Sequence, residues 1–354
     1  SSFSNHRLAQ LPIFPYSPPR LARSASLPAR IGVLSAPITM SVETVAQSIR
    51  TEIGKAIVGQ ERAVDQALVA ILANGHVLLE GVPGIAKTLL VRALSRTLNL
   101  AYGRIQFTPD LMPSDIIGTN IFNQKTSEFV LRKGPVFVNV LLADEINRTP
   151  PKTQAALLEA MEERQVTIDG EPYQLPPPFL VFATQNPIDF EGTYPLPEAQ
   201  QDRFLLKILI DYPAADVEIA VLRRHHAGFK PRDLDAAGIQ PIVSPEDLVA
   251  LQQEVENVEV DDKIFNYIYE VVKATRTSDD ILVGASPRAG IAMLNCGKAI
   301  AALRGRTFVI PDDVKEIALP VLRHRIILRP EAEVEGLSVD RVLTSVIHNQ
   351  VVPR

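Results

Sequence analysis

The chain of 354 residues is poor in several features that would place it in a special class of protein. It has one cysteine, Cys296, and no tryptophan. A single cysteine excludes an intramolecular disulfide framework and favours a reducing compartment. The alanine-rich surroundings of Cys296 predict that this cysteine is a small core residue on a helix and not a nucleophile. No apolar run is long enough to span a bilayer, so we expect a cytoplasmic protein.

The charge balance also lacks the excess of basic residues that is typical of nucleic-acid-binding proteins. Lys and Arg number 36 against 41 Asp and Glu, which gives a net charge of -5. This argues against nucleic acid as an obligatory ligand but leaves room for a local basic patch. A hydrophobic content of 46% and a charged content of 22% are typical of globular chains. The length suffices for two or three domains.

Residues 1–39 contain no acidic residue and are rich in Ser and Pro. Two interpretations stay open. The segment resembles an organellar transit peptide, or it is a disordered or artefactual extension before a start at Met40. We favour the second, and in both cases predict a tail outside the fold. The basic residues of this segment are Arg7, Arg20, Arg23 and Arg30.

Short apolar runs alternate with segments of helical periodicity in the first part of the chain. This alternation predicts an α/β fold with a mostly parallel sheet, whose ligands bind at the carboxyl ends of the strands. We predict helices at 42–55, 61–74, 87–98 and 152–164, and buried strands at 76–80, 101–107, 139–143 and 179–184.

Two insertions interrupt the alternation of strands and helices, and an all-helical region follows it. Asp169-Gly170 within 165–175 predicts a β-hairpin, and 108–137 reads as an irregular insert. After about Tyr212 the pattern becomes all-helical, with Ser-Pro pairs at 244 and 286 marking helix starts. The expected organisation is a tail (1–39), an α/β domain (40–211) and a helical domain (212–354).

The run from Gly81 to Thr88 is one residue from a phosphate-binding P-loop. It reads G-x-x-x-x-A-K-T, with Ala86 where Gly is usual. In such a loop the backbone N–H groups surround phosphates, the Lys reaches the terminal phosphates and the hydroxyl holds Mg²⁺. A methyl group fits at Ala86 if that residue is already helical. The alternative is a Gly-rich turn between a strand and a helix.

Two carboxylates, Asp144 and Glu145, end the apolar strand 139–143. Acidic groups beside a core strand are costly unless they serve a purpose. Asp144 suits contact with Mg²⁺, directly or through water, and Glu145 suits polarising a water that attacks a phosphate. A solvated turn is the alternative.

Three further polar residues follow at strand and helix ends. Asn186 ends the next strand, where its amide suits orienting a water, or it forms an Asx turn before Pro187. Arg203 is either a surface ion pair or an arginine finger. Arg288 lies in the first turn of a helix, where a cation is unfavourable unless a phosphate binds nearby.

In this order, these motifs resemble those of the AAA+ ATPases. The P-loop with Ala86, the run Asp144-Glu145-Ile146-Asn147-Arg148 and the run Leu196-Pro197-Glu198-Ala199-Gln200 resemble the MoxR branch over about residues 42–350, although Gln201 stands where Leu is more frequent. The hairpin 165–175 is similar to the pre-sensor hairpin of this group, and 108–137 to its helix-2 insert.

The resemblance implies ATP and Mg²⁺ as ligands and a hexameric ring with ATP between subunits. Arg203 would act on the neighbour's γ-phosphate, and Arg288 within its own subunit. Chaperone-like assembly or metallation of protein complexes, often through partners with von Willebrand factor A domains, would be the function. The implied nucleotide-binding residues are Gly81, Val82, Pro83, Gly84, Ile85, Ala86, Lys87, Thr88 and Leu89; the metal ligands are Thr88 and Asp144; the catalytic residues are Glu145, Asn186, Arg203 and Arg288.

Weaker patterns are interpreted as surface features. His225 and His226 are adjacent on a helix, so their side chains diverge and do not form a metal site. The basic cluster Arg323-His324-Arg325 with Arg329 is interpreted first as a solvated helix end. A subunit contact is the second interpretation, and a nucleic-acid contact is the third. Three acidic residues of the helix 152–164 are expected on its solvated face, namely Glu159, Glu162 and Glu163.

The sequence therefore predicts an ATPase that uses hydrolysis of Mg-ATP to remodel a protein partner. Three alternatives remain. A DNA motor is disfavoured by the acidic charge and by the lack of an aromatic-basic stripe. A magnesium-chelatase motor subunit would share the hairpin, and a pull-down of chelatase subunits would favour it. A regulator that binds ATP without turnover is disfavoured because no catalytic residue is missing.

Overall fold

The computed structural model describes residues 40–186, 193–231 and 233–353. The predicted tail (1–39) and Pro187 lie outside this part of the chain. The strands are β1 (Val77–Glu80), β2 (Tyr102–Gln106), β3 (Gly118–Asn123), β4 (Glu128–Lys133), β5 (Val140–Asp144), β6 (Gln165–Ile168), β7 (Glu171–Gln174), β8 (Leu180–Gln185), β9 (Leu206–Leu209), β10 (Ile281–Val283) and β11 (Ile327–Leu328).

Several helices begin at capping residues or prolines, and two of them were predicted from Ser-Pro pairs. Ser244 and Ser286 both cap a helix whose first residue is proline. The helices are α1 (Val42–Gly54), α2 (Glu61–Leu72), α3 (Lys87–Thr97), α4 (Pro113–Ile117), α5 (Pro151–Glu163), α6 (Glu198–Gln201), α7 (Ala215–His226), α8 (Pro245–Glu256), α9 (Asp262–Thr277), α10 (Pro287–Leu303), α11 (Pro311–Leu322), α12 (Pro330–Val334) and α13 (Val339–His348).

A parallel sheet of five strands organises the first half of the described chain. Its order is β2-β5-β8-β1-β9, and every neighbouring pair is parallel. The central strands β1, β5 and β8 are buried except for the last residue of each, which is typical of a sheet covered on both faces. Their carboxyl ends meet at one edge, where the predicted motifs lie.

The prediction that the strand at 101–107 is buried was wrong. β2 lies at the edge of the sheet, and Ile105 is its single buried residue. A strand with a neighbour on one side alone leaves its other flank open. The polar side chains Arg104 and Gln106 are exposed on a face of this edge strand.

The hairpin predicted within 165–175 is present, whereas the insert 108–137 differs from its prediction. β6 and β7 form the hairpin expected from Asp169-Gly170, and both residues have the positive φ that this turn needs, 51° and 88°. The insert 108–137 was predicted to be irregular, but it contains α4 and an antiparallel hairpin of β3 and β4. Side-chain amide Nδ2 of Asn120 donates to Asp169 Oδ2 over 2.8 Å and joins the two hairpins.

The C-terminal part is helical with one short exception. β10 and β11 form an antiparallel ribbon between α9 and α12, a feature too short to leave an alternating pattern in the sequence. The predicted domain limits at 39/40 and 211/212 stay predictions. Among the described residues, no helix is both long and apolar enough to cross a membrane.

The first helices of the chain share a core with the last ones. Residues of α1 and α2 pack against α10, and α2 also contacts α8. Gln252 of α8 donates through Nε2 to the backbone oxygen of Ile71 over 2.7 Å, a buried contact between these helices. One continuous apolar cluster therefore runs from the N-terminal helices through the sheet to the C-terminal helices.

Candidate active site

A cavity of about 840 Å³ opens at the carboxyl ends of β1, β5 and β8. It brings together most of the residues that the sequence predicts for the site, since the loop at 83–89, Asp144, Glu145 and Asn186 all line it. A cavity of this size fits a nucleotide. Gly81 and Val82, at the start of the loop, are not among the lining residues. Arg203 and Arg288 lie elsewhere.

The loop predicted to bind phosphate joins β1 to α3 through a tight backbone path. A Cβ at Gly81 would lie 2.3 Å from the backbone oxygen of Ile210, so any side chain there would clash. Gly84 has φ 88°, a conformation that favours glycine. The Lys87 ammonium donates to the backbone oxygen of Gly81. The chain thus holds the cation within the loop at the amino end of α3, where anions are favoured.

Ala86 does not have the conformation that the sequence analysis assumed. We expected a residue already helical, but Ala86 has φ 64° and ψ 21°, which is the left-handed region. This explains why glycine is usual at this position, because a Cβ in the left-handed region costs about 1–2 kcal/mol.

We therefore expect Ala86→Gly to raise the free energy of unfolding by about 0.5–1 kcal/mol, the strain released less the added entropy of the unfolded chain. Urea denaturation measures this change. Ala227→Gly is the matched control, since Ala227 caps α7 with a negative φ of -74° and should lose stability. Equal destabilisation in both variants would contradict the strain at Ala86.

The two carboxylates at the end of β5 are held by side chains of neighbouring strands. Asp144 Oδ2 accepts from Arg104 Nη2 at 2.6 Å, and its Oδ1 accepts from Thr184 Oγ1 at 2.6 Å. Glu145 Oε2 accepts from Gln106 Nε2 at 2.7 Å. The hydroxyl of Thr184 also accepts the backbone N–H of Glu145 at 2.8 Å. Both carboxylates therefore have fixed orientations at the cavity wall.

Arg104, Gln106 and Thr184 are site residues that the sequence analysis missed. A signal was available for the first two, because residues two apart on a strand face the same side. β2 pairs with β5 so that Gln106 is the register partner of Asp144. Thr184 directly precedes the predicted Gln185-Asn186 end of β8, which also could have marked it.

Apolar side chains form the far side of the cavity. Ile57 and Val58 come from the loop between α1 and α2, and Tyr212, Leu222 and Phe229 from the region of α7. A nucleobase is flat and largely apolar on its faces, so this side suits a base while the loop at 83–89 suits phosphates. Thr88 and Asp144 both line the cavity, and their side chains carry oxygen atoms of the kind that Mg²⁺ prefers.

Arg203 and Arg288 lie beside each other on Glu162 of α5. Arg203 Nη2 lies 2.8 Å from Glu162 Oε2, and Arg288 Nη2 lies 3.1 Å from Glu162 Oε1. Glu162 is exposed, as expected of a residue on a solvated helix face, and it also pairs with both arginines. Arg288 lies at the start of α10 and is not among the residues that line the cavity of its own subunit.

Family models match two parts of the chain. Residues 76–206 match the ATPase family associated with various cellular activities (AAA), and residues 273–346 match the AAA lid domain. Chaperone MoxR1 of Mycobacterium tuberculosis is 44% identical over 90% of this chain and 84% of its own length. The chain belongs to the MoxR family of AAA+ ATPases.

Other relatives and a solved structure agree with this MoxR assignment. Protein YeaC of Bacillus subtilis is 48% identical over 85% of this chain and 92% of its own. Protein MoxR of Paracoccus denitrificans is 33% identical over 78% and 87%. A crystal structure described as a candidate ATPase from Cytophaga hutchinsonii superposes with a TM-score of 0.81 at 44% identity, covering 88% of this chain and 96% of the other. The predicted AAA+ fold with its helical lid is thereby confirmed.

In this MoxR-family chain the side chains of Arg323, His324 and Arg325 are largely buried, contrary to the prediction of a solvated helix end, whereas Arg329 is exposed as predicted. Arg325 donates through Nε to Asp202 Oδ1 over 2.6 Å and through Nη2 to the backbone oxygen of Phe204 over 2.7 Å. Burial lowers the pKa of His324 well below its usual value, which favours a neutral ring, and His324 Nε2 contacts the same oxygen. The cluster thus anchors the segment that carries Arg203.

Two other weak patterns are resolved by burial and exposure. Cys296 is fully buried, and burial raises the pKa of its thiol to about 12, so the prediction of an unreactive core residue agrees with its surroundings. Among the residues that the structure describes, no group of three or more His, Cys, Asp or Glu could hold a metal ion. His225 and His226 are both exposed on α7.

Proposed function

We propose that this MoxR-family protein binds Mg-ATP in the cavity and hydrolyses it to remodel a partner protein. One observation carries the proposal: the phosphate loop, both carboxylates and Asn186 line a single cavity of nucleotide size. Membership of an ATPase family supports the reaction. A relative at 44% identity that is named a chaperone supports the chaperone-like role.

Each side chain has a role that its position supports. Lys87 and the N–H groups of the loop bind phosphates, and Thr88 and Asp144 hold Mg²⁺. When bound, Mg²⁺ neutralises charge on the phosphate oxygens. Glu145 accepts a proton from the attacking water, and Asn186 orients that water. Gln106 holds the side chain of Glu145 in one orientation. This removes conformational freedom of the base that would slow the attack of water on the phosphate.

The two arginines complete the site from a neighbouring copy of the chain. Neither Arg203 nor Arg288 lines the cavity of its own subunit, yet both are partly exposed. A delocalised cation on the transferring phosphoryl group stabilises the transition state. A closed ring supplies such a residue to every site, and we propose six subunits, as the resemblance to the family implies.

We expect ATP turnover per subunit to rise with protein concentration and to fall about 10³-fold in Arg203→Ala, because the site lacks its arginine finger. Steady-state phosphate release over a range of protein concentrations measures both effects. Arg341→Ala, a change at an exposed arginine of α13, is the matched control and should behave as the natural chain.

A flat concentration dependence with normal turnover in Arg203→Ala would contradict completion of the site between subunits. Light scattering then reports the ring itself, as a mass six times that of one chain. The partner is a protein complex that needs remodelling, maturation or metal insertion. We propose that it carries a von Willebrand factor A domain. Release of metal-loaded partner in the presence of ATP would test this role.

A further inference from the structure

Glu162 joins two elements that are far apart in the chain. It lies near the end of α5, and its two carboxylate oxygens each contact one arginine, Arg203 at 2.8 Å and Arg288 at 3.1 Å. Arg203 follows α6, whereas Arg288 lies in the first turn of α10. One carboxylate therefore sets the separation between two guanidinium groups from different parts of the fold.

A second carboxylate joins the same two segments through a side-chain contact. Asp202 precedes Arg203, and its Oδ2 accepts from Ser286 Oγ over 3.1 Å. Ser286 caps α10 and accepts the backbone N–H of Arg288 over 3.2 Å. The other oxygen of Asp202 accepts from Arg325, whose side chain is 4% exposed. The backbones on both sides are therefore fixed independently of Glu162, which acts on the side chains.

The chemistry of the arginines decides what the pair can bind. Two guanidinium groups repel each other, so they stay adjacent when an anion lies between them. A guanidinium has five N–H donors, and the contact with Glu162 uses one nitrogen of each. Arg203 and Arg288 remain 29% and 56% exposed. Donors are thus left over for a second anion with several oxygens, as a terminal phosphate has.

We propose that Glu162 is a positioning residue, which holds Arg203 and Arg288 side by side as one receptor for the terminal phosphate of ATP bound to the neighbouring copy. The inference rests on the proposed function. Beyond that function, we infer that Arg203 and Arg288 act as a unit. Glu162 acts through both arginines, with which its two oxygens pair.

Glu162→Gln tests the proposal, with Glu163→Gln as the matched control on the same helix. We expect kcat to fall about tenfold in Glu162→Gln, because the arginines lose their joint orientation in the transition state. The KM for ATP should change less than about twofold. Turnover is measured with the full chain at a protein concentration that saturates its rate. Exposed ion pairs contribute little to stability, so both variants should unfold at the same temperature.

A double-mutant cycle measures whether the effects of Glu162→Gln and Arg288→Ala on kcat depend on each other. A purely structural role of Glu162 would leave the two effects independent. If Glu162 works through the pair, Arg288→Ala should cost much less in the Glu162→Gln background than in the natural chain. Independent, multiplicative effects would overturn the proposal. A kcat equal to that of Glu163→Gln would overturn it too, as would a faster rate, which would mean that Glu162 competes with the phosphate.

Arg203→Ala separates this inference from the proposed function. Loss of turnover in Arg203→Ala with normal turnover in Glu162→Gln would overturn the role of Glu162 alone. Normal turnover in both variants would contradict the completion of the site by a neighbouring subunit, on which the role of Glu162 depends.

Discussion

Lys87→Ala is expected to lower the affinity for ATP by about 100-fold or more. The ammonium group is held within the phosphate loop by the backbone oxygen of Gly81, beside the amino end of α3. Hydrogen bonds to charged groups contribute about 1.5–3 kcal/mol each, and a lysine at this place makes more than one to the phosphates. Isothermal titration with ATP and Mg²⁺ measures the change.

The control for this variant is Lys273→Ala. Lys273 is exposed and pairs with Glu270 on the same helix, so its removal tests for a general effect of lost positive charge. ATP binding should stay as in the natural chain. If Lys87→Ala also bound ATP normally while remaining folded, the loop would not be the phosphate site.

Glu145→Gln is expected to retain ATP while slowing hydrolysis by about 10²-fold or more, because the attacking water loses its positioned base. The substitution preserves size and the ability to pair with Gln106, which donates to Glu145 at 2.7 Å. Nucleotide affinity should therefore change little. Single-turnover hydrolysis of radiolabelled ATP, together with a binding titration, distinguishes the two effects.

Glu254→Gln serves as the matched control, since Glu254 is an exposed residue of α8 and the same chemical change there should leave both quantities alone. Rapid turnover in Glu145→Gln would assign the base to another group. Asp144 would then be the next carboxylate to test, because it also lines the cavity.

The sequence predicts the centre of the fold well because the signals there are local. β1, β5 and β8 are apolar runs that end in polar motifs, and parallel strands bring their carboxyl ends to one edge. The hairpin at Asp169-Gly170 follows from two residues that tolerate positive φ. β2 was misjudged because burial depends on its place in the sheet, which periodicity does not encode.

The sequence predicts those site residues that belong to a recognisable motif. It does not predict those whose role depends on contacts with distant segments of the chain. Lys87 was predicted from the phosphate-loop pattern, and Asp144 and Asn186 from their place at strand ends. Glu162 looked like one of several acids on a helix, and Arg325 like part of a solvated cluster. Their partners come from distant segments, as the contact of Arg325 with Asp202 illustrates. Local patterns cannot report such partners.

The core shared by the first and last helices has a consequence for how the chain matures on the ribosome. α1 and α2 leave the exit tunnel early, yet part of their apolar surface waits for α8 and α10. Contacts between distant segments form slowly, because the loop between them must first be closed. Until then exposed apolar helices are prone to aggregation. A nascent chain that stalls before α10 should therefore be a preferred client of general chaperones, although the sheet and the phosphate loop are already complete.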